Sequence, residues 1–276
     1  MTRLSRLLRR LGPAGRGGAL VAAAWLLLAL VGPWLSPVDP TAIDLPRELQ
    51  PPGHAHWLGA GENGVDVLAQ LLAGARVSLV VSLGSVVAAA ALGVLVGAVA
   101  GLSGGALEEL LMRAVDVVLA FPGLLLAIFI SSVLGPSLRN VVLALTFSGW
   151  TGYARLARAQ VRWLLSREYV SAARVLGASP ARIALRHLLP NAAGPLLVQA
   201  TFGVPAAILA EASLSFLGLG APPGTPSWGA LIDQGSQYLL VAPHVALFPG
   251  LCLAATVLGL NLLGDALRDA LAPGQE

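Results

Sequence analysis

The sequence predicts an all-α integral membrane protein with six transmembrane helices. Two observations carry the prediction. Only 11% of the 276 residues are charged and 56% are hydrophobic, whereas a soluble domain carries about 25% charged residues. Too few charges are left to cover a water-facing surface. In addition, six apolar runs come close to the roughly 20 residues that a helix needs to cross a hydrocarbon core of about 30 Å. The placement of the arginines then gives these runs a direction.

The first run, 18–35, follows the basic start MTRLSRLLRR. It exceeds the usual signal-peptide core of about 7–15 residues and ends in WLSPVDP, without a small-x-small cleavage site, so it reads as an uncleaved anchor. The remaining runs are 79–101, 114–134, 138–156, 194–217 and 244–264, the fourth diluted by SGWTG at 148–152. Gly93, Gly97 and Gly101 recur at every fourth position of the second run, a spacing that lets two helix backbones approach closely. Pro122, Pro205 and Pro249 fall inside runs and are expected to kink or open them.

Cytoplasmic loops of membrane proteins are enriched in basic residues. Arg3, Arg6, Arg9, Arg10 and Arg16 therefore place the N-terminus in the cytoplasm, and the acidic stretch from Asp39 to Asp66 outside. Alternation puts the segment between the fourth and fifth runs inside, with Arg155, Arg158, Arg162, Arg167, Arg174, Arg182 and Arg186. The 218–243 loop, whose one charge is Asp233, falls outside, and both termini are cytoplasmic. The loop around Glu108, Glu109 and Arg113 belongs inside without being basic, which the rule tolerates because acids count for little.

Every basic side chain is an arginine. Without lysine there is no Walker A loop and no Schiff-base chemistry, and the Gly-rich run GLGAPPG at 218–224 lacks the required ending. Any nucleotide energy must come from another chain. The single Cys252 sits in an apolar run and reads as an inert thiol. No Ser-His-Asp, His-Glu-x-x-His or paired-carboxylate pattern is visible, which argues against a membrane enzyme. His54 and His56 form an H-x-H without an obvious third ligand, so no metal site is expected. Glu211 is the one carboxylate well inside a run, where acids are costly and usually functional. Ser213 and Ser215 are at hand to satisfy it in a structural role, and a place on a transport path is the alternative. One intramembrane acid is thin support for an ion-coupled secondary transporter, the rival function.

The basic segment 171–190, SAARVLGASPARIALRHLLP, has the signals of a short helix over 167–176. Gly177 suits the left-handed position past its end. Ser179 then reads as an N-cap with Pro180 at the first position of a second helix, expected to end near Leu189 before Pro190 opens the fifth crossing. Small residues beside a tight turn suit insertion into a groove on another protein. An amphipathic segment lying on acidic lipid is the competing reading.

EYVSAARVLGASPARIALRHLLPN resembles the cytoplasmic "EAA" loop of bacterial ABC importer permeases, in the branch that handles dipeptides, oligopeptides and nickel. Ala172, Ala173, Gly177, Leu189 and Pro190 fall at that loop's places. HWLGAGENGVDVLAQLLAGARVSL (56–79), DVVLAFPGLLLAI (116–128), ILAEASLSFLGLG (208–220), PSWGALI (226–232) and LNLLGDALRDAL (260–271) also resemble family stretches. Ser171 departs from the family's Glu, although Glu168 precedes it by three residues, and Val65 replaces a residue that is often basic there.

The resemblance implies a type I ABC importer transmembrane fold. Residues 1–75 would hold the basic tail, first crossing and periplasmic segment, 76–265 the transport domain with its loop at about 158–193, and 266–276 a short cytoplasmic tail. It implies half of a translocation pathway for peptides or similar solutes in the bacterial inner membrane. The implied partners are a second, homologous permease, two cytoplasmic ATP-binding subunits, an external solute-binding protein and membrane lipid, with no nucleic acid. No cofactor is expected on this chain, since ATP and Mg would sit on the ATPases, and no enzymatic activity of its own. Glu168, Ser171, Ala172, Ala173, Gly177 and Pro190 are the expected ATPase-coupling residues.

Overall fold

The computed structural model describes residues 12–36, 38–54 and 56–271. Arg3, Arg6, Arg9 and Arg10, and the expected tail from Ala272 onward, lie outside the described residues. The helices are α1 (Pro13–Leu35), α2 (Val67–Ser103), α3 (Gly105–Leu119), α4 (Gly123–Leu134), α5 (Leu138–Leu165) and α6 (Glu168–Val175). They continue with α7 (Pro180–Phe216), α8 (Trp228–Ser236) and α9 (His244–Leu271).

Among the described residues, four helices are long and apolar enough to cross a membrane: α1, α2, α7 and α9. The third expected run is broken instead of continuous: α3 and α4 meet at an 82° bend. Pro122 stands at the break as the N-cap of α4. It lacks an amide hydrogen, and it disfavours helical geometry at Phe121 before it. The helices run on through Pro205 and Pro249, which are both buried. α5 has the length of a crossing, but the SGWTG stretch and its arginines keep it out of the apolar set.

α2 starts at Val67, well before the expected 79, because Asp66 caps it. The Asp66 Oδ1 accepts the Ala69 amide at 2.7 Å, which meets one of the orphan donors of the first turn. Its far end packs along α5 through the predicted glycine stripe. A Cβ on Gly93 would run into the Trp150 carbonyl oxygen, one on Gly97 into that of Ala154, and one on Gly101 would come within 2.8 Å of Val161. Residue numbers rise together on both sides, so α2 and α5 are parallel. α1 and α9 are antiparallel: Gly18 faces Leu262 and Leu263 as well as Gly259, while Val21, further along α1, faces Gly259. The first described residues and the end of α9 therefore lie at the same end of the bundle.

The core has two principal parts. One gathers Val81, Val86, Val115, Val141, Leu145, Tyr153 and Leu214 from α2, α3, α5 and α7. The other gathers Trp25, Leu79, Ile208, Trp228 and Leu260. Large apolar side chains such as Leu20, Leu95, Phe129 and Leu258 point outward, as befits a protein whose surroundings are hydrocarbon.

The segment between α1 and α2 is tied by polar contacts. The His56 Nδ1 lies 2.6 Å from Asp66 Oδ2, and Arg47 Nη1 lies 3.2 Å from His56 Nε2. Arginine can only donate, so the His56 Nε2 accepts from Arg47 and its Nδ1 donates to Asp66. Both ring nitrogens are thus engaged within the protein.

Candidate functional site: the basic knob and a buried glutamate

The site begins at the lower half of α5, whose arginines are paired. Arg158 Nε is 2.6 Å and Arg162 Nη1 3.8 Å from the Glu108 carboxylate on α3, and Arg155 Nη2 is 2.6 Å from Asp116. The acidic α3 loop therefore sits at the same end as the basic segment, which removes the conflict its charge posed for the arginine rule. Arg167 covers the Trp163 ring at 3.9 Å from its centroid.

α6 follows. Glu168 in its first turn and Arg174 in its last both complement the helix dipole. The helix closes in a Schellman arrangement. Gly177, at φ +82°, donates to the Arg174 carbonyl, and Ala178 donates to that of Ala173, both at 3.0 Å. Ser179 then caps the next helix by accepting the Arg182 amide at 3.3 Å, with Pro180 in first position.

The second helix does not stop near Leu189. It continues as α7 into the next apolar run, through one π turn at Ala184–Leu188. The physical reason lies in Pro190. Its ring would clash with the residue 186 carbonyl of a regular α-helix, and the widened turn just before it relieves that crowding.

Val170 anchors α6. It is fully buried in a cluster with Val161, Leu164, Ile183, Leu188 and Ala192. Beside it the rings of Tyr169 and His187 meet at 6.3 Å. The opposite face is open. Glu168, Ser171, Ala172 and Gly177 are exposed on it, while Ala173 is half-buried. Pro190 is exposed but lies further on, in α7.

The sequence put Leu176 at the end of the short helix expected over 167–176, with its direction left open. Leu176 is 86% exposed and Val175 88%, an apolar tip that two adjacent apolar residues beside a Gly turn could have signalled. Arg174 in α6 and Arg182 and Arg186 early in α7 are exposed and without an ion pair to any described residue. The chemistry on offer is a small, apolar-tipped plug on a basic segment.

Glu211, in α7, is fully buried. Its Oε1 accepts from Ser215 Oγ at 2.8 Å and its Oε2 from Ser78 Oγ of α2 at 3.2 Å. Ser213 donates to the Leu209 carbonyl instead. The carboxylate is thus a pin between α7 and α2. Close by, α8 lies against α7 and α2: a Cβ on Gly229 would meet the Ala212 backbone, and Trp228 Nε1 donates to the Leu71 carbonyl at 2.9 Å.

Outward-facing apolar helices around a tightly packed centre, with a charged knob at one end, define a polytopic membrane protein. Residues 93–276 match the family described as the binding-protein-dependent transport system inner membrane component. The chain belongs to this family, and is a permease subunit of an ABC transporter.

It is 43% identical, over 97% of its length and 90% of the relative's, to a putative peptide transport system permease protein of Brucella suis. It is 43% identical to the di/tripeptide transport system permease protein DppC of Pseudomonas aeruginosa, covering 93% of this chain and 87% of that protein. It is also 40% identical to the nickel transport system permease protein NikC of Escherichia coli K12, over 92% of both chains. The fold is similar to that of a chain from the inward-facing MetNI methionine ABC transporter, with a TM-score of 0.58 at 20% identity, covering 74% of this chain and 96% of that one. The ion-coupled carrier finds no support in these comparisons.

Proposed function

We propose that this chain forms half of the translocation pathway of an ATP-driven importer for peptides or similar small solutes in a bacterial inner membrane. Its partners would be a second permease, two cytoplasmic ATPases and an external solute-binding protein. The peptide reading rests on the names of the relatives DppC and the Brucella permease. The proposed topology has six alternating crossings, counting α3 and α4 as one and α5 as the polar one, with both ends cytoplasmic. The antiparallel α1 and α9, and the parallel α2 and α5, are consistent with that alternation.

One observation carries the mechanism: α6 is held at its root by Val170 and presents an open, apolar-tipped face on a segment whose Arg174, Arg182 and Arg186 are exposed and form no ion pair with a described residue. An ATPase would seat this knob in a groove with an acidic rim. Closure of the ATPase dimer on nucleotide would then move α6 as a lever. Because α7 continues without a break from the knob into the bundle, the displacement passes directly to a crossing helix. Transport is a shift between two packed states.

The test is Ala172→Trp, chosen because Ala172 is exposed whereas Ala173 is half-buried. The variant should insert normally but lose solute-stimulated ATP hydrolysis in the reconstituted complex. Full stimulation by Ala172→Trp would remove α6 from the coupling role.

A further inference from the structure

A cavity of about 300 Å³ opens between α2, α5 and α7, near the middle of all three helices. Its walls include Tyr153, Gln199, Ser148, Gly203, Ala206 and Ala210. That volume is at the lower end of the range for small-molecule sites.

Two of its polar groups are free. Tyr153 is 4% exposed and its hydroxyl has no hydrogen-bond partner among the described residues. Gln199, an exposed residue of the lining, makes no side-chain hydrogen bond to a described residue. A buried hydroxyl left unpaired costs on the order of 1–3 kcal/mol. If Tyr153 served only to fill space, phenylalanine would do so without that cost. Gly203 keeps the hydroxyl clear, since a Cβ there would stand 2.6 Å from the Tyr153 oxygen. A mere packing void in an apolar bundle has no reason to keep the Tyr153 hydroxyl.

The lining also selects a chemistry. It contains no Asp, Glu, Arg, His or Cys, so a transition-metal cation such as nickel would find no imidazole, thiolate or carboxylate ligand there. A peptide amide, by contrast, offers one donor and one acceptor. A tyrosine hydroxyl and a glutamine amide each supply both in return.

We propose that this cavity is a solute-contact subsite on this chain's half of the pathway, taking the uncharged amide portion of a peptide through the Tyr153 hydroxyl and the Gln199 side chain. The inference rests on the importer reading above. It narrows the solute from the family's range to one carrying an amide bond.

The test uses the complete transporter in lipid nanodiscs, with its binding protein and with Cys252, the sole native cysteine, replaced by serine. A hydrophilic maleimide probes Ala206→Cys, with Ala210→Cys as a parallel probe, and dialanine is the solute. Labelling should change about tenfold between nucleotide-free and vanadate-trapped states, as a two-state shift of the pathway requires. Dialanine should slow labelling, and Tyr153→Phe should abolish that protection while leaving the nucleotide dependence intact. Labelling at both positions that ignores nucleotide would put the cavity off the pathway. Nucleotide-dependent labelling that ignores dialanine, or protection that survives Tyr153→Phe, would overturn the amide contact. Failure of the importer reading would show separately, as ATP hydrolysis indifferent to the binding protein.

Discussion

Arg158 Nε lies 2.6 Å from Glu108 Oε1, and so ties α3 to the root of the basic knob. Glu108 is 8% exposed and is also the partner of Arg162. Glu108→Ala would leave two arginines without their acid. Because Arg158 is partly exposed, screening limits the expected loss to about 1–2 kcal/mol. Thermal unfolding in detergent should show this loss. It should also show that Arg158→Ala adds little in the Glu108→Ala background, since the two single changes break one interaction.

Gly97 and Gly84 stand in the same helix but in different surroundings. A side chain at Gly97 would enter the Ala154 backbone, whereas at Gly84 the nearest atom is a Val142 methyl at 3.7 Å. Gly97→Val should push α2 and α5 apart and reduce the folded, membrane-inserted yield severalfold. Gly84→Ala should be neutral or slightly stabilising, by up to about 1 kcal/mol from helix propensity. Equal yields for the two variants would contradict the close-packed α2–α5 contact.

Glu211 draws one hydroxyl from its own helix and one from α2. Glu211→Ala strands Ser78 and Ser215 and should cost about 1–3 kcal/mol. Glu211→Gln keeps an acceptor and should fall between the variant and the native protein. Melting temperatures in that order would identify the pin. Tolerance of Glu211→Ala with loss of transport alone would instead make Glu211 part of the pathway.

Local chemistry made much of this structure legible. Gly177, Ser179 and Pro180 marked the turn and cap of the knob, because each residue type answers a backbone need within its own few positions. The glycine stripe marked a close helix contact for the same kind of reason, though its partner α5 was not readable. Asp66 before Val-Leu-Ala-Gln carried the signal of an earlier start to α2, but the apolar run alone drew attention to residue 79. Pro190 looked like a boundary because proline usually ends a helix; a single π turn let the helix pass. What stayed hidden was long-range pairing. Nothing in the local sequence tells Glu211 that its second hydroxyl comes from Ser78, or Arg158 that its acid is Glu108.

In the proposed mechanism α6 is a handle held by a separate motor protein in the cytoplasm. The direct measurement is disulfide cross-linking from Leu176→Cys, at the exposed tip, in the Cys252→Ser protein co-expressed with the proposed ATPase partner carrying cysteines across the surface that would receive the knob. A cross-linked permease–ATPase product whose yield changes when ATP is bound is expected. Labelling of Leu176→Cys by an impermeant reagent added to intact cells, with no ATPase adduct, would contradict it.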